Sequence, residues 1–102
     1  MIFIEDSAFT KARETLLSDD DFYALQNWLL VSPESGAVIQ RSGGCRKIRW
    51  AAKGHGKRGG VRVIYFYRLS AAEILLLEIY PKNEKEDLTA EDLKRLKRKI
   101  NP

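Results

Sequence analysis

Arg46-Lys47-Ile48-Arg49-Trp50 and Val61-Arg62-Val63-Ile64-Tyr65-Phe66-Tyr67 decide the fold. In the first stretch Lys47 and Arg49 alternate with Ile48 and Trp50, the period of a strand that packs on one face and carries its cations on the other. The second is rich in β-branched and aromatic residues, as strands are. Between them Gly54, Gly56, Gly59 and Gly60 form a flexible, basic connection, so the two strands are predicted to pair as a hairpin. Trp50 and about half of the Tyr65, Phe66, Tyr67 row are expected in the core, because a small sheet must bury its aromatic residues somewhere.

On the carboxyl side of the hairpin, residues 74–80 read as a further strand stopped by Pro81. Thr89 and Asp92 then cap a last helix showing Leu93, Leu96 and Ile100, with Leu88 and Leu93 as its hydrophobic staple. On the amino side, Ile2, Phe3 and Ile4 suggest a short strand, and Asp6 or Ser7 caps a helix carrying Phe9, Ala12 and Leu16. Ser18 and Asp21 resemble a capping box with Leu17 and Phe22 as staple, which opens a helix over about residues 19–31 that presents Phe22, Leu25, Trp28 and Leu29. Pro33 and Gly36 end it. The predicted order is strand, two helices, three strands, helix.

A chain of 102 residues, 44% hydrophobic and 31% charged, is enough for one small domain over 1–102 and too little for more. The formal charge of +4 hides a segregation. Residues 1–34 hold two bases and seven acids, residues 35–72 hold nine bases and no acid, and residues 73–102 hold seven of each. A block of nine cations with no acid attracts polyphosphate and points to nucleic acid. The single cysteine excludes an internal disulfide. No amino-terminal leader and no apolar run near the ~20 residues of a membrane span is present, so a cytoplasmic address with no membrane contact is expected. One Cys and one His make a zinc site improbable; no metal and no cofactor are expected.

Gly54-His55-Gly56-Lys57-Arg58-Gly59 matches the dinucleotide fingerprint G-x-G-x-x-G, but the fingerprint needs a helix after it to receive the pyrophosphate, and strand-like residues follow here. His55 among glycines reads as a loop residue, and Cys45 as a small packing residue. Arg62 opens an otherwise apolar strand, where its fork is held in a defined direction; it suits a phosphate clamp or an ion pair to Glu78 or Glu84 equally well on position alone. Tyr80, Lys82, Asn83 and Glu84 place an aromatic ring, a cation, an amide and a carboxylate within five residues, either a site edge or an ordinary polar turn.

The words Ser42-Gly43-Gly44-Cys45-Arg46-Lys47-Ile48-Arg49, Gly56-Lys57-Arg58-Gly59-Gly60-Val61-Arg62-Val63-Ile64-Tyr65 and Ile79-Tyr80-Pro81-Lys82-Asn83-Glu84-Lys85-Glu86-Asp87-Leu88-Thr89 occur in this order over nearly the whole chain. It resembles the RelE/HigB toxins of bacterial type II toxin-antitoxin systems, especially the HigB-like branch. The resemblance implies an α+β fold of order β-α-α-β-β-β-α, a mainly antiparallel sheet backed by two helices. It implies a ribosome-dependent endoribonuclease that enters the ribosomal A site, cuts messenger RNA without a metal and inhibits translation, and a cognate antitoxin as partner. Carried over by position, Lys47, Arg49, Arg62 and Lys82 become the catalytic or phosphate-binding set, and Arg46, Lys53, Lys57 and Arg58 the RNA or ribosome contacts. Where RelE has a functional arginine and then a tyrosine after the last strand, this chain has Asn83 and Thr89, which leaves Lys82, Glu84 and Tyr80 as candidates for proton transfer. The alternatives are a ParE-like toxin that blocks DNA gyrase, and a non-catalytic nucleic-acid-binding or regulatory module on the same basic sheet.

Overall fold

The computed structural model describes residues 1–51, 60–85 and 87–101. Its elements are β1 (Ile2–Glu5), α1 (Ser7–Leu16), α2 (Asp19–Val31), β2 (Ala37–Val38), β3 (Arg46–Trp50), β4 (Val61–Arg68), β5 (Glu73–Pro81) and α3 (Ala90–Ile100), with one 3₁₀ turn over Leu69–Ala71 between β4 and β5. The five strands form one sheet in the order β1-β5-β4-β3-β2. Only β1 runs parallel to its neighbour β5; the other pairs are antiparallel. The α+β class and the element order agree with the expectation, with β2 added: two residues are too few for alternation to be read.

Helices cover both faces. Phe9 of α1 and Phe22, Leu25 and Leu29 of α2 pack with Val63, Tyr65, Ile74, Leu76 and Ile79 on one face. Leu96 and Ile100 of α3 pack with Cys45, Ile64, Leu75, Leu77 and Tyr80 on the other. This two-sided burial explains why β4 and β5 read as continuous apolar runs, the signature of strands covered front and back. Trp28, which the sequence presents along with Phe22, Leu25 and Leu29, is 45% exposed; its Nε1 donates to Ser35 Oγ at 2.9 Å. Trp50 does pack on the α1/α2 core, its Nε1 donating to the Asp21 carbonyl. Cys45 is fully buried, and that burial pushes its thiol up.

The caps lie where the sequence places them. Asp6 accepts from Ala8 N, Ser18 from Asp21 N, and Thr89 with Asp92 closes a full capping box. One feature of β5 has no counterpart in the alternation. Tyr65 pairs with Leu76 and Ile64 with Glu78, leaving Leu77 as an extra residue in a β-bulge. Before the bulge Leu75 faces α3; after it Glu78 and Tyr80 face α3 and Ile79 turns to the α1/α2 core.

Tyr65 ties the connection after α2 to the central strand: its fully buried hydroxyl accepts from Gly36 N and donates to the Pro33 carbonyl, each at 2.9 Å. A side chain at Gly36 would begin 2.8 Å from that ring. Because Tyr65→Phe strands buried backbone groups, it is expected to lower unfolding free energy by about 2 kcal/mol in urea titrations. A change below about 0.5 kcal/mol would mean that water replaces the hydroxyl there.

Candidate functional site

The register of the three central strands determines what the α3 side of the sheet displays. Arg49 of β3 lies opposite Arg62 of β4, and Arg62 lies opposite Tyr80 of β5; Lys47 lies one step along that face, opposite Ile64. Directly opposed side chains on one face have Cβ atoms about 5 Å apart, so two arginines here repel. Lys47, Arg49, Arg62 and Tyr80 line one open hollow of about 490 Å³, completed by Lys82, Asn83 and Lys85 from the turn after β5. Among the described residues five cations and no carboxylate line it.

That turn is built by backbone constraints. Pro81 ends β5, Glu84 N donates to the Pro81 carbonyl, and Lys82 N donates to the Gly60 carbonyl at 3.2 Å. Gly60 has φ +63°, and a Cβ there would fall 2.1 Å from the Trp50 carbonyl oxygen, so only glycine fits at the point where the hairpin meets the turn carrying Lys82.

Tyr80 is 4% exposed and forms part of the floor. Burial raises the pKa of its phenol, with the Arg62 charge pulling the other way. Lys85 stands 5.4 Å over the Tyr80 ring and 3.6 Å from Asp92 of α3. Behind this rim a chain of ion pairs joins three elements. Arg95 grips Glu78 with two hydrogen bonds of 2.6 and 3.0 Å and reaches Asp92 at 2.8 Å. Lys99 bridges Glu78 and Asp6, the cap of α1. Burial acts to raise the Glu78 pKa, but Arg95 and Lys99 outweigh it and hold the carboxyl below its usual range. Asp92 is also held low, chiefly by accepting the Thr89 backbone N–H and further by Arg95. The Arg95 guanidinium is pushed up in turn, first by its hydrogen bonds to Glu78.

Of the residues singled out from sequence, Lys47, Arg49, Arg62, Tyr80 and Lys82 come together. Glu84 does not line the hollow; it borders a neighbouring depression of about 270 Å³ with Tyr80 and Lys85. Arg46 points away from it: strand alternation sends its guanidinium to the α1/α2 side, where it donates to the Glu34 and Gly36 carbonyls and lies 3.5 Å from the Glu34 carboxylate. Glu78, one of the two carboxylates that position alone offered to Arg62, is engaged by Arg95 and Lys99. Lys53, His55, Lys57 and Arg58 lie outside the described residues. Lys85 was missed, because only its contact with α3 shows that it turns to the hollow. Among the described residues no group of His, Cys, Asp and Glu is arranged to hold a metal, and no helix is long and apolar enough to cross a membrane. Chemically, a concave patch of forked and point cations around a buried phenol suits a phosphodiester, whose oxygens accept bidentate arginine hydrogen bonds.

The family model described as the RelE toxin of the RelE / RelB toxin-antitoxin system matches residues 5–100. That span is nearly the whole chain, and the chain belongs to the RelE toxin family. The fold is also that of a double mutant of E. coli toxin RelE in the free state, with a TM-score of 0.62 at 15% sequence identity, over 99% of this chain and 97% of that one.

The depressed carboxyls set a sign for stability against pH. A group held low in the folded state contributes above its unfolded pKa, about 4, and that contribution is lost as pH falls through the folded value. Stability is therefore expected to be level near pH 6 and to decline below about pH 4. Asp92→Asn should lower neutral-pH stability by about 1 kcal/mol and make the acid decline shallower, measured by denaturant unfolding across pH. An unchanged acid slope would remove Asp92 from the account.

Proposed function

We propose that this RelE-family toxin is a ribonuclease that cuts messenger RNA in the ribosomal A site without a metal, using the hollow between β3, β4, β5 and the turn after β5. The observation that carries the reading is the convergence of Lys47, Arg49, Arg62 and Lys82 on one concave surface with Tyr80 at its floor. In the proposed reaction a ribose 2′-hydroxyl attacks its own 3′-phosphodiester. The 2′-oxygen bonds to phosphorus, the bond to the 5′-oxygen breaks, and a 2′,3′-cyclic phosphate and a 5′-hydroxyl result.

Such a step needs in-line alignment, stabilisation of a phosphorane more negative than the ground state, and one proton removed and another supplied. Arg62 and Arg49, opposed across the ladder, supply forked donors to the non-bridging oxygens, and Lys47 and Lys82 add point charges. Electrostatic stabilisation of this kind is usually the largest single contribution to such catalysis. Tyr80, at the floor of the hollow beside Arg62, is the proposed donor to the departing 5′-oxygen. Lys82 and Glu84 are the two candidates to take the 2′-hydroxyl proton. The ribosome supplies the RNA conformation, and the partners of this toxin are the A-site mRNA and a cognate antitoxin. A toxin that acts on ribosomes in this way works in the cytoplasm.

Mapping 5′ ends on programmed ribosomes with the purified protein is expected to show cuts within the A-site codon, with cyclic-phosphate products. A 2′-deoxy nucleotide at the cut position should abolish them. Arg62→Ala and Lys82→Ala should each slow single-turnover cleavage by roughly 10²–10³-fold and relieve growth arrest. Intact mRNA alongside broken chromosomal DNA would overturn the reading in favour of a gyrase poison.

A further inference from the structure

A second basic concavity lies on the outer side of α3. It has a volume of about 380 Å³ and is lined by Arg41, Lys94 and Lys97 over an apolar floor of Leu88, Ala90 and Leu93. Ala90, Leu93, Lys94 and Lys97 follow the i, i+3, i+4, i+7 spacing of one helix face. The opposite wall is the turn between β2 and β3, and it is rigidly made. Ser42 is fully buried; its Oγ donates to the Ile39 carbonyl at 2.6 Å and accepts from Cys45 N at 3.0 Å. A Cβ at Gly43 would lie 3.0 Å from Ile100 Cδ1 and 3.7 Å from Lys97 Cγ, so the turn is seated on the last turns of α3. Arg41 itself has φ +62°, a left-handed conformation that is uncommon for a residue with a side chain.

Among the described residues no carboxylate lines this groove. Among the described residues Arg41 and Lys97 are in no ion pair, and Lys94 has only an exposed contact with Glu91 at 3.8 Å, the weak class of surface pair. The described lining also contains no aromatic ring to stack a base and no amide to read a base edge. Cations on an apolar floor without reading groups suit a sugar-phosphate backbone. The groove adjoins the hollow along the chain. Lys85 lines the hollow and Leu88 the groove, and three residues span at most about 11 Å.

We infer that the groove formed by Arg41, Lys94 and Lys97 is a sequence-independent RNA backbone site, holding phosphates that flank the linkage in the hollow. The inference rests on reading the hollow as the RNA site. It adds that this second contact governs affinity and not the choice of linkage or the rate of the chemical step. The backbone comes from the mRNA beyond the cut codon or from ribosomal RNA, which offer the same phosphates.

The test uses the full chain and the variant Arg41→Asn/Lys97→Gln, since asparagine tolerates left-handed backbone and glutamine keeps the aliphatic contact with the turn. Coincident thermal unfolding checks the fold, and Lys97→Gln alone, on the exposed helix face, serves if the pair does not fold. With uncleavable 2′-O-methyl RNA 12-mers of U or of A, the variant should bind roughly tenfold more weakly at 100 mM salt for both sequences. Its plot of log affinity against log salt should be shallower by about 1.4, two contacts at about 0.7 each. A trinucleotide confined to the hollow should bind unchanged, whereas Lys82→Ala weakens both lengths. On programmed ribosomes the protein concentration giving half-maximal cleavage should rise while the plateau rate holds. A rise only with mRNA extending beyond the A site identifies mRNA as the source, and a rise also with truncated mRNA identifies ribosomal RNA. Unchanged 12-mer affinity and salt slope in the variant overturn the groove, as does lost binding of a poly-glutamate peptide with RNA binding intact. Wild-type binding without any cleavage would instead sink the nuclease reading and leave the groove standing.

Discussion

Arg49 opposes Arg62 across the β3–β4 ladder, and the rest of the molecule holds these two like charges on one sheet face. Like charges directly opposite on one sheet face destabilise by some tenths of a kcal/mol to about 1 kcal/mol. The core carries this easily, because β4 and β5 are buried on both faces and a single fully buried Leu or Ile side chain stabilises by about 1.5–3 kcal/mol. An anion between the two guanidiniums turns repulsion into shared attraction. In the proposed reaction such a site is preorganised for phosphate chemistry, because the fold itself sets the positions of these cations.

The bulge at Leu77 is the second constraint. Without it, regular alternation would send Tyr80 to the α1/α2 core and leave the hollow without its phenol. With it, Glu78 and Tyr80 both face α3, so the same helix that buries Leu77 also anchors Glu78 through Arg95 and reaches the rim through Asp92 and Lys85. Bulges next to functional sites commonly re-aim a side chain in this way. The ion-pair chain from Asp6 to Lys85 couples the position of α3 to the geometry of the hollow, so anything that displaces α3 loosens the rim.

Much of this was legible in the sequence because it rests on local chemistry. Ser18 and Thr89 announced their helices through caps whose partners lie three residues on. Lys47 and Arg49 announced a basic strand face by alternating with Ile48 and Trp50. The glycine fingerprint was rightly discounted, since the residues after it form β4 and not a helix. What stayed hidden depends on tertiary register. The bulge and the parallel pairing of β1 with β5 leave no periodic trace. Arg46 looked equivalent to its neighbours until Glu34 and the Gly36 carbonyl, ten or more residues earlier, were found beside it. Lys85 looked like one more charge in a polar turn until α3 brought Asp92 to it.

The most direct test of the central claim is a double-mutant cycle on Arg49 and Arg62, read as single-turnover cleavage rates on programmed ribosomes. If both guanidiniums hold one phosphorane, Arg49→Ala and Arg62→Ala should be strongly non-additive, with an interaction energy of about 1 kcal/mol or more. Rates in the double variant equal to the product of the two single effects would show that the arginines act on separate groups, and the account of a shared phosphate between opposed strands would fail.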